Sequence, residues 1–103
     1  MKSVLTADGT MLWYCPGCEC DHGVPVIGGR VWAWNKSTNC PTLSTSILVY
    51  AHDISPPFKP QPRCHCFMKE GQLQFLDDCG HKLAGKTVPM VDYDSVTEAE
   101  HLR

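Results

Sequence analysis

The chain has 103 residues, 43% hydrophobic and 19% charged, and its 9 Lys+Arg against 11 Asp+Glu leave a formal net charge of −2. That length holds one small domain, that composition excludes a disordered tail protein, and the lack of a basic run disfavours binding to a nucleic-acid backbone. No stretch approaches the roughly 20 apolar residues of a membrane span and the N-terminus has no apolar signal core, so a cytoplasmic location away from membranes is expected.

In chain order, residues 1–10 read as a short polar lead. Met11-Leu12-Trp13-Tyr14-Cys15 reads as a strand, stopped by Pro16-Gly17. Gly23 to Ile27 reads as a second strand, confined to an edge by Pro25. The pair Gly28-Gly29 predicts a turn joining it to Arg30-Val31-Trp32-Ala33-Trp34, whose alternation puts Val31 and Ala33 on one face and both tryptophans on the other. Ser44 to Tyr50 ends in β-branched and aromatic residues and is expected centrally in the sheet. Prolines at 56, 57, 60 and 62 predict an extended loop between Asp53 and Arg63.

Arg63 to Lys69 and Gln72 to Asp77 predict a hairpin around Glu70-Gly71, with Cys66 opposite Phe75 and Met68 opposite Leu73. Cys66 then belongs to the core and His65 to the other face. Asp78 can cap one or two helical turns from Cys79 to Ala84, ended by Gly85 in the left-handed region. Thr87 to Val91 reads as a last strand and Asp92 to Arg103 as an acidic tail open to fraying. The expected fold is mainly β, a small α+β domain with a zinc-ribbon-like antiparallel sheet and one short helix. Its divisions are a lead at 1–10, a single metal-binding domain at 11–92 and a tail at 93–103.

Seven cysteines dominate the chemistry. Their odd number, the CxxC turn and the interleaved histidines fit a reducing compartment and a zinc site better than a disulfide framework. Cys15-Pro16-Gly17-Cys18 aims two sulfurs at one point, with turn N–H groups free to hydrogen-bond them. Cys79, at the start of the expected helix, should ionise readily at a helix N-terminus and is the third ligand. The fourth is contested: Cys64 and His65 are strand neighbours pointing to opposite faces, and His81 can bind the ion, orient a water or rest on the surface. Cys20 and Cys40 are extra thiols. His22 reads as a ligand, a donor to a ligand or an exposed loop residue, and His52 and His101 have no neighbouring cysteine to suggest a metal role.

Trp13-Tyr14-Cys15-Pro16-Gly17-Cys18, His22-Gly23-Val24, Trp32-Ala33-Trp34-Asn35, Pro41 to Leu48, Arg63-Cys64-His65 and Asp78 to Gly85 together resemble a family of small bacteriophage and prophage proteins. Its members have no assigned function and often carry the label ammonia monooxygenase. Longer bacterial relatives are sometimes encoded beside ubiquitin-like conjugation genes. The resemblance implies Cys15, Cys18, His65 and Cys79 as the zinc ligands, with His81 and Cys64 in reserve. The chain departs from the family pattern at Cys20, Cys40, Cys66 and Thr45. A copper or membrane oxidase would need a different chain.

The leading expectation is a zinc-stabilised binding module, a phage accessory protein acting on a host protein in the bacterial cytoplasm. Three thiolates and one imidazole would close the coordination sphere, and Trp32 and Trp34 would be available as interface anchors or as ordinary core. The alternative is a zinc-dependent, peptidase-like hydrolase with an open metal position, drawing on Asp78, His22, Ser44, Ser46 or Asn35. No HExxH motif supports it, and Asp78, the serines and Asn35 each have a cap, strand-end or turn role to play.

Overall fold

The computed structural model describes residues 1–29, 31–49 and 63–96. The proline loop at 56–62, Tyr50, His52, His101 and the end of the acidic tail lie outside them.

Two antiparallel sheets form the fold. The first has order β1-β2-β3, from β1 (Val4–Leu5), β2 (Thr10–Cys15) and β3 (Cys20–Pro25). The second has order β4-β5-β6-β7, from β4 (Ile47–Val49), β5 (Cys64–Lys69), β6 (Gln72–Phe75) and β7 (Thr87–Pro89). Mainly β is therefore the observed class. The only helical segment among the described residues is a 3-10 turn at Tyr93–Ser95.

The β5–β6 hairpin has the register the alternation predicts, Cys66 opposite Phe75 and Met68 opposite Leu73. Glu70 at φ +48 and Gly71 at φ +76 make its two-residue turn, a left-handed pair that matches the twist of the strands it joins. Cys64, Cys66 and Met68 face inward from β5 and His65 and Phe67 lie on the other face.

Three expectations are corrected. The hairpin of the first sheet is β2–β3, closed by the CxxC turn itself, where Glu19 N–H donates to Cys15 O at 2.8 Å; Cys15 and Cys20 face each other at its end. The strand expected at 23–27 thus starts at Cys20, and of the partner expected at 30–34 the described residues, 31–34, form no strand. From that stretch Trp34 makes one bridge to Leu43 and Trp32 N–H one bond to Pro25 O. Second, β4 is an edge rather than a central strand. Its β-branched run reflects half-burial, because Ile47 packs inside while Leu48 is exposed. Third, Cys79 to Ala84 forms turns instead of a helix. Gly85 is left-handed as expected, but its N–H returns to Leu76 O, tying the segment back to the end of β6. The described ends are held as well: Val4–Leu5 pair with β2, and Tyr93 N–H donates to Met1 O at 2.8 Å while its hydroxyl donates to Asp21 Oδ2 at 2.6 Å.

Between the sheets lies one core. Met11, Trp13 and Val24 of the first sheet pack with Leu43, Ile47, Cys66, Met68, Leu73, Phe75 and Met90, and Trp32 and Trp34 lean half-buried against it. Each indole N–H donates to a carbonyl, Trp32 to Ser46 O at 3.3 Å and Trp34 to Ser37 O at 3.0 Å. Cys15 and Cys64 sit at one end of this core, where the sheets meet the turn after β6.

Candidate metal centre and the adjoining histidine–aspartate pair

Four segments converge at that end. Cys15 closes β2, Cys18 sits in the turn that follows, Cys64 opens β5 and His81 lies in the turn after β6. One donor atom from each lies within 4.8 Å of the other three. Cys15 Sγ and Cys64 Sγ are 3.9 Å apart, and Cys18 N–H donates to Cys15 Sγ at 3.4 Å, the amide-to-sulfur contact that a CxxC turn offers a thiolate. Cys15 and Cys64 are fully buried.

His81 is held edge-on to the Phe75 ring at 4.6 Å. Its ring also lies over Gly17, where a Cβ would come within 2.3 Å of Cε1. Glycine between the two cysteines thus makes room for the imidazole. Leu83 N–H donates to Nδ1 at 3.2 Å, and Nε2 is buried without a hydrogen-bond partner. Binding an ion through Nε2 puts the ring proton on Nδ1, so the Leu83 contact gives way as the ion enters. Buried polar atoms ordinarily have partners, so an imidazole nitrogen without one beside three thiols fits a metal ligand.

The thiols perturb one another. Hydrogen bonds from Cys18 and then Cys64 hold the Cys15 thiol well below its ordinary range, with burial opposing and His22 assisting. The same contacts push Cys18 and Cys64 up, each chiefly through its hydrogen bond with Cys15. These opposed shifts favour charge on the Cys15 sulfur over its two neighbours. A divalent cation replaces the thiol protons and lets all three ionise.

The structure brings together Cys15, Cys18, Cys64 and His81, and places His65 and Cys79 beside this group in a different arrangement. Cys79 Sγ donates to His65 O at 3.0 Å and accepts from His65 N–H at 3.2 Å. Without a helix there is no terminal dipole to ionise it, and burial raises its pKa. His65 Nδ1 lies 3.0 and 3.2 Å from the two oxygens of Asp78. Asp78 Oδ2 also meets Arg63 Nη2 at 2.7 Å. The His65 hydrogen bond, then the charges of His65 and Arg63, hold the Asp78 carboxyl below its usual range. Strand neighbours have opposite fates here: Cys64 turns into the thiol group and His65 out to Asp78. Alternation could have told them apart once Cys66 was assigned to the core.

His22 is not an exposed loop residue. It is 6% exposed, with its ring 5.9 Å from that of Trp13. Cys66 is buried as expected, and Cys40 is exposed. Ser44 Oγ accepts from Ala33 N–H at 3.0 Å, and Asn35 Oδ1 accepts from both Ser37 and Thr42 N–H at 3.1 Å, buckling the loop that leads to β4. Within that loop Thr45, a β-branched residue, is held at φ +57.

Fold and site together define a small β domain whose two sheets meet at a Cys3His cluster able to hold a metal ion. The chain belongs to the family described as bacterial ubiquitination-like system serine protease (BubE), whose model matches residues 2–76. That span contains Cys15, Cys18, Cys64, His65 and both candidate serines, and stops short of Asp78 and His81. No curated protein and no solved structure matches the chain. No helix among the described residues is long and apolar enough to cross a membrane.

Proposed function

We propose that this chain is a zinc-stapled hydrolase of the serine type, cleaving a peptide or isopeptide bond in a protein substrate of a bacterial ubiquitination-like system. The observation that carries this reading is the Asp78 carboxylate on His65 Nδ1 at 3.0 Å, beside the cluster. An acceptor on Nδ1 fixes the neutral tautomer with its proton there, leaving Nε2 free to act as a base. The family description supports a serine nucleophile.

Ser46 is our candidate nucleophile. Leu48 is opposite His65 in the β4–β5 register, so strand alternation places Ser46, two residues earlier, on the His65 side. Ser44 is a poorer candidate because its hydroxyl already serves Ala33. The left-handed Thr45 immediately before Ser46 supports the choice, since such strain concentrates at functional turns. In the reaction Ser46 Oγ bonds to the substrate carbonyl carbon while its proton passes to His65 Nε2. The C–N bond then breaks, the amine leaves with that proton, and water hydrolyses the acyl-enzyme by the same relay. Asp78 stabilises the transient imidazolium.

Zinc fits the donor set, three thiols and an imidazole, and four protein ligands leave no position for water. Its contribution in this reading is structural. Cys64 precedes His65 and His81 follows Asp78, so holding the first and last of these fixes the pair between them.

A second reading is the non-catalytic module, a phage accessory protein seated on a host protein. It is favoured by Arg63, whose 2.7 Å contact with Asp78 is shorter than that of His65 and makes the group a plain surface ion pair. Labelling by a serine-directed fluorophosphonate separates the two. The hydrolase reading expects an adduct on Ser46, found by peptide mass spectrometry and lost in His65→Ala. Absence of labelling in folded, zinc-loaded protein sinks it.

A further inference from the structure

Cys20 is a buried thiol that the four-residue group leaves out, as is Cys66, which packs in the core opposite Phe75. Cys20 opens β3 directly opposite Cys15 and is 3% exposed. Directly opposed residues of an antiparallel pair share a face, with Cβ atoms about 5 Å apart. The Cys18 sulfur lies within 4.8 Å of the donor atoms of Cys15, Cys64 and His81. With Cys15 and Cys64 Sγ 3.9 Å apart and Cys20 directly opposite Cys15, the four thiols gather at one end of the core. On the same face of β3, His22 is 6% exposed, is near enough to Cys15 for that thiol to raise its pKa, and keeps its Nε2 buried without a partner. Treating Cys20 as a small hydrophobe explains its burial. It does not explain why it lies directly opposite a ligand thiol, beside a group that already holds the four donors one tetrahedral ion can use.

We propose that Cys20 is an alternative fourth ligand, so that soft divalent ions such as Cd2+ are held by the sulfurs of Cys15, Cys18, Cys20 and Cys64 with His81 released, while zinc keeps the set containing His81. This rests on the metal-binding half of the function proposed above. Thiolate is the softest donor a protein offers and imidazole is intermediate, so the swap gains more for a soft ion than for zinc. Cys20 follows Cys18 by two residues, a tight step for zinc's short bonds to sulfur, which are about 2.3 Å. A larger ion with longer bonds relaxes that step. His81 and Cys18 both sit in turns whereas Cys15, Cys20 and Cys64 sit in strands, and of the two the imidazole is the harder donor, so His81 is the ligand a soft ion releases. Each thiol that ligates gives its proton to solvent, so the ion and four thiols yield a doubly negative centre and four protons. The His22 ring against Cys15 places a hydrogen-bond donor beside that added charge.

The test is titration of the whole chain with Cd2+ alone, read by sulfur-to-metal absorbance and by cadmium NMR. Wild-type protein is expected to give the four-sulfur signature. Cys20→Ser should lose about a quarter of the absorbance and move to the three-sulfur, one-nitrogen signature. His81→Ala should keep the wild-type cadmium spectrum while its zinc affinity falls at least about tenfold. Wild type and Cys20→Ser sharing a three-sulfur, one-nitrogen spectrum overturns the proposal, as does a failure to bind Cd2+. Should His81→Ala not fold, the Cys20→Ser comparison decides alone, since it retains His81. Zinc bound normally with cadmium blind to Cys20 fails only this inference; neither metal bound fails the underlying reading as well.

Discussion

Cys15 Sγ lies 3.9 Å from Cys64 Sγ although 49 residues of chain separate them, and the contact joins the last residue of β2 to the first of β5. The two sheets are held together here by the thiol group as well as by the apolar core. A domain of this length removes only about 60–70% of its unfolded surface from water, so a bound ion weighs heavily. At a free zinc concentration 1,000 times the dissociation constant, binding adds about 4 kcal/mol, or about 15–30 °C in melting temperature for a domain of this size. Chelation should therefore lower the midpoint by that amount in calorimetry. Cys15→Ser and Cys64→Ser should reproduce the loss together with the metal content, whereas Cys40→Ser, at an exposed thiol, should change neither. Equal loss in all three variants would remove the staple from the account.

Gly17 offers a sharper probe of the imidazole. It is not in the left-handed region, so alanine is compatible with its backbone, and the added Cβ would lie 2.3 Å from His81 Cε1. Gly17→Ala should cost about 1–3 kcal/mol by crowding that ring and should weaken zinc binding. In a His81→Ala background the same change should cost almost nothing, because neighbours that share a contact are non-additive. A cost that persists without the ring would mean that the turn, rather than the ligand, needs glycine.

The strands whose pattern depends on nearest neighbours were legible. Met11 to Cys15 and the 63–77 hairpin follow from apolar runs, alternation and a two-residue turn, and the register of the 63–77 hairpin emerged with it. Less legible were pairings set by long-range contacts. Gly28-Gly29 looked like a hairpin turn, but the CxxC segment closes the hairpin instead, because the Glu19 N–H to Cys15 O bond and the converging sulfurs reward that turn twice. Asp78 looked like a helix cap, and the helix lost to bonds that return Cys79, Gly80 and Gly85 N–H to Leu76, Arg63 and Leu76 carbonyls. At the site, Cys15 and Cys18 were readable from spacing alone. Whether Cys64 or His65 turns inward depended on which face of β5 is core, and His81 depended on a turn that no periodicity marks.

Tyr93 supplies a pH prediction. Its hydroxyl donates to Asp21 Oδ2 at 2.6 Å, and partial burial together with that bond pushes its pKa up to about 12. The folded value exceeds the unfolded one of about 10, so this contribution to stability is fully present below pH 10 and is lost as pH rises through 12. Tyrosinate absorbance should show a step near 12 that disappears in Tyr93→Phe. The variant should be less stable at pH 7 by about 0.5–1 kcal/mol, the lower range for a hydrogen bond at a partly exposed site. A first step at 10 assigned to Tyr93 would mean that the 93–95 turn is not docked on β3 in solution.

Asp78 tests whether the pair beside the cluster is machinery or ornament. Its carboxylate is 42% exposed and takes both Arg63 and His65, so as a surface ion pair screened by solvent it should add little to stability. As the group that fixes the His65 tautomer it should matter far more. Asp78→Asn keeps the size but can donate from its amide to Nδ1, which favours the tautomer with the proton on Nε2 and removes the base. The expected result is a fall of about 10³–10⁴-fold in the rate of fluorophosphonate labelling at Ser46, with melting temperature and zinc content close to wild type. A proportionate loss of stability and labelling would instead mark Asp78 as a support for the turn, and unchanged labelling would separate the His65–Asp78 contact from the chemistry altogether.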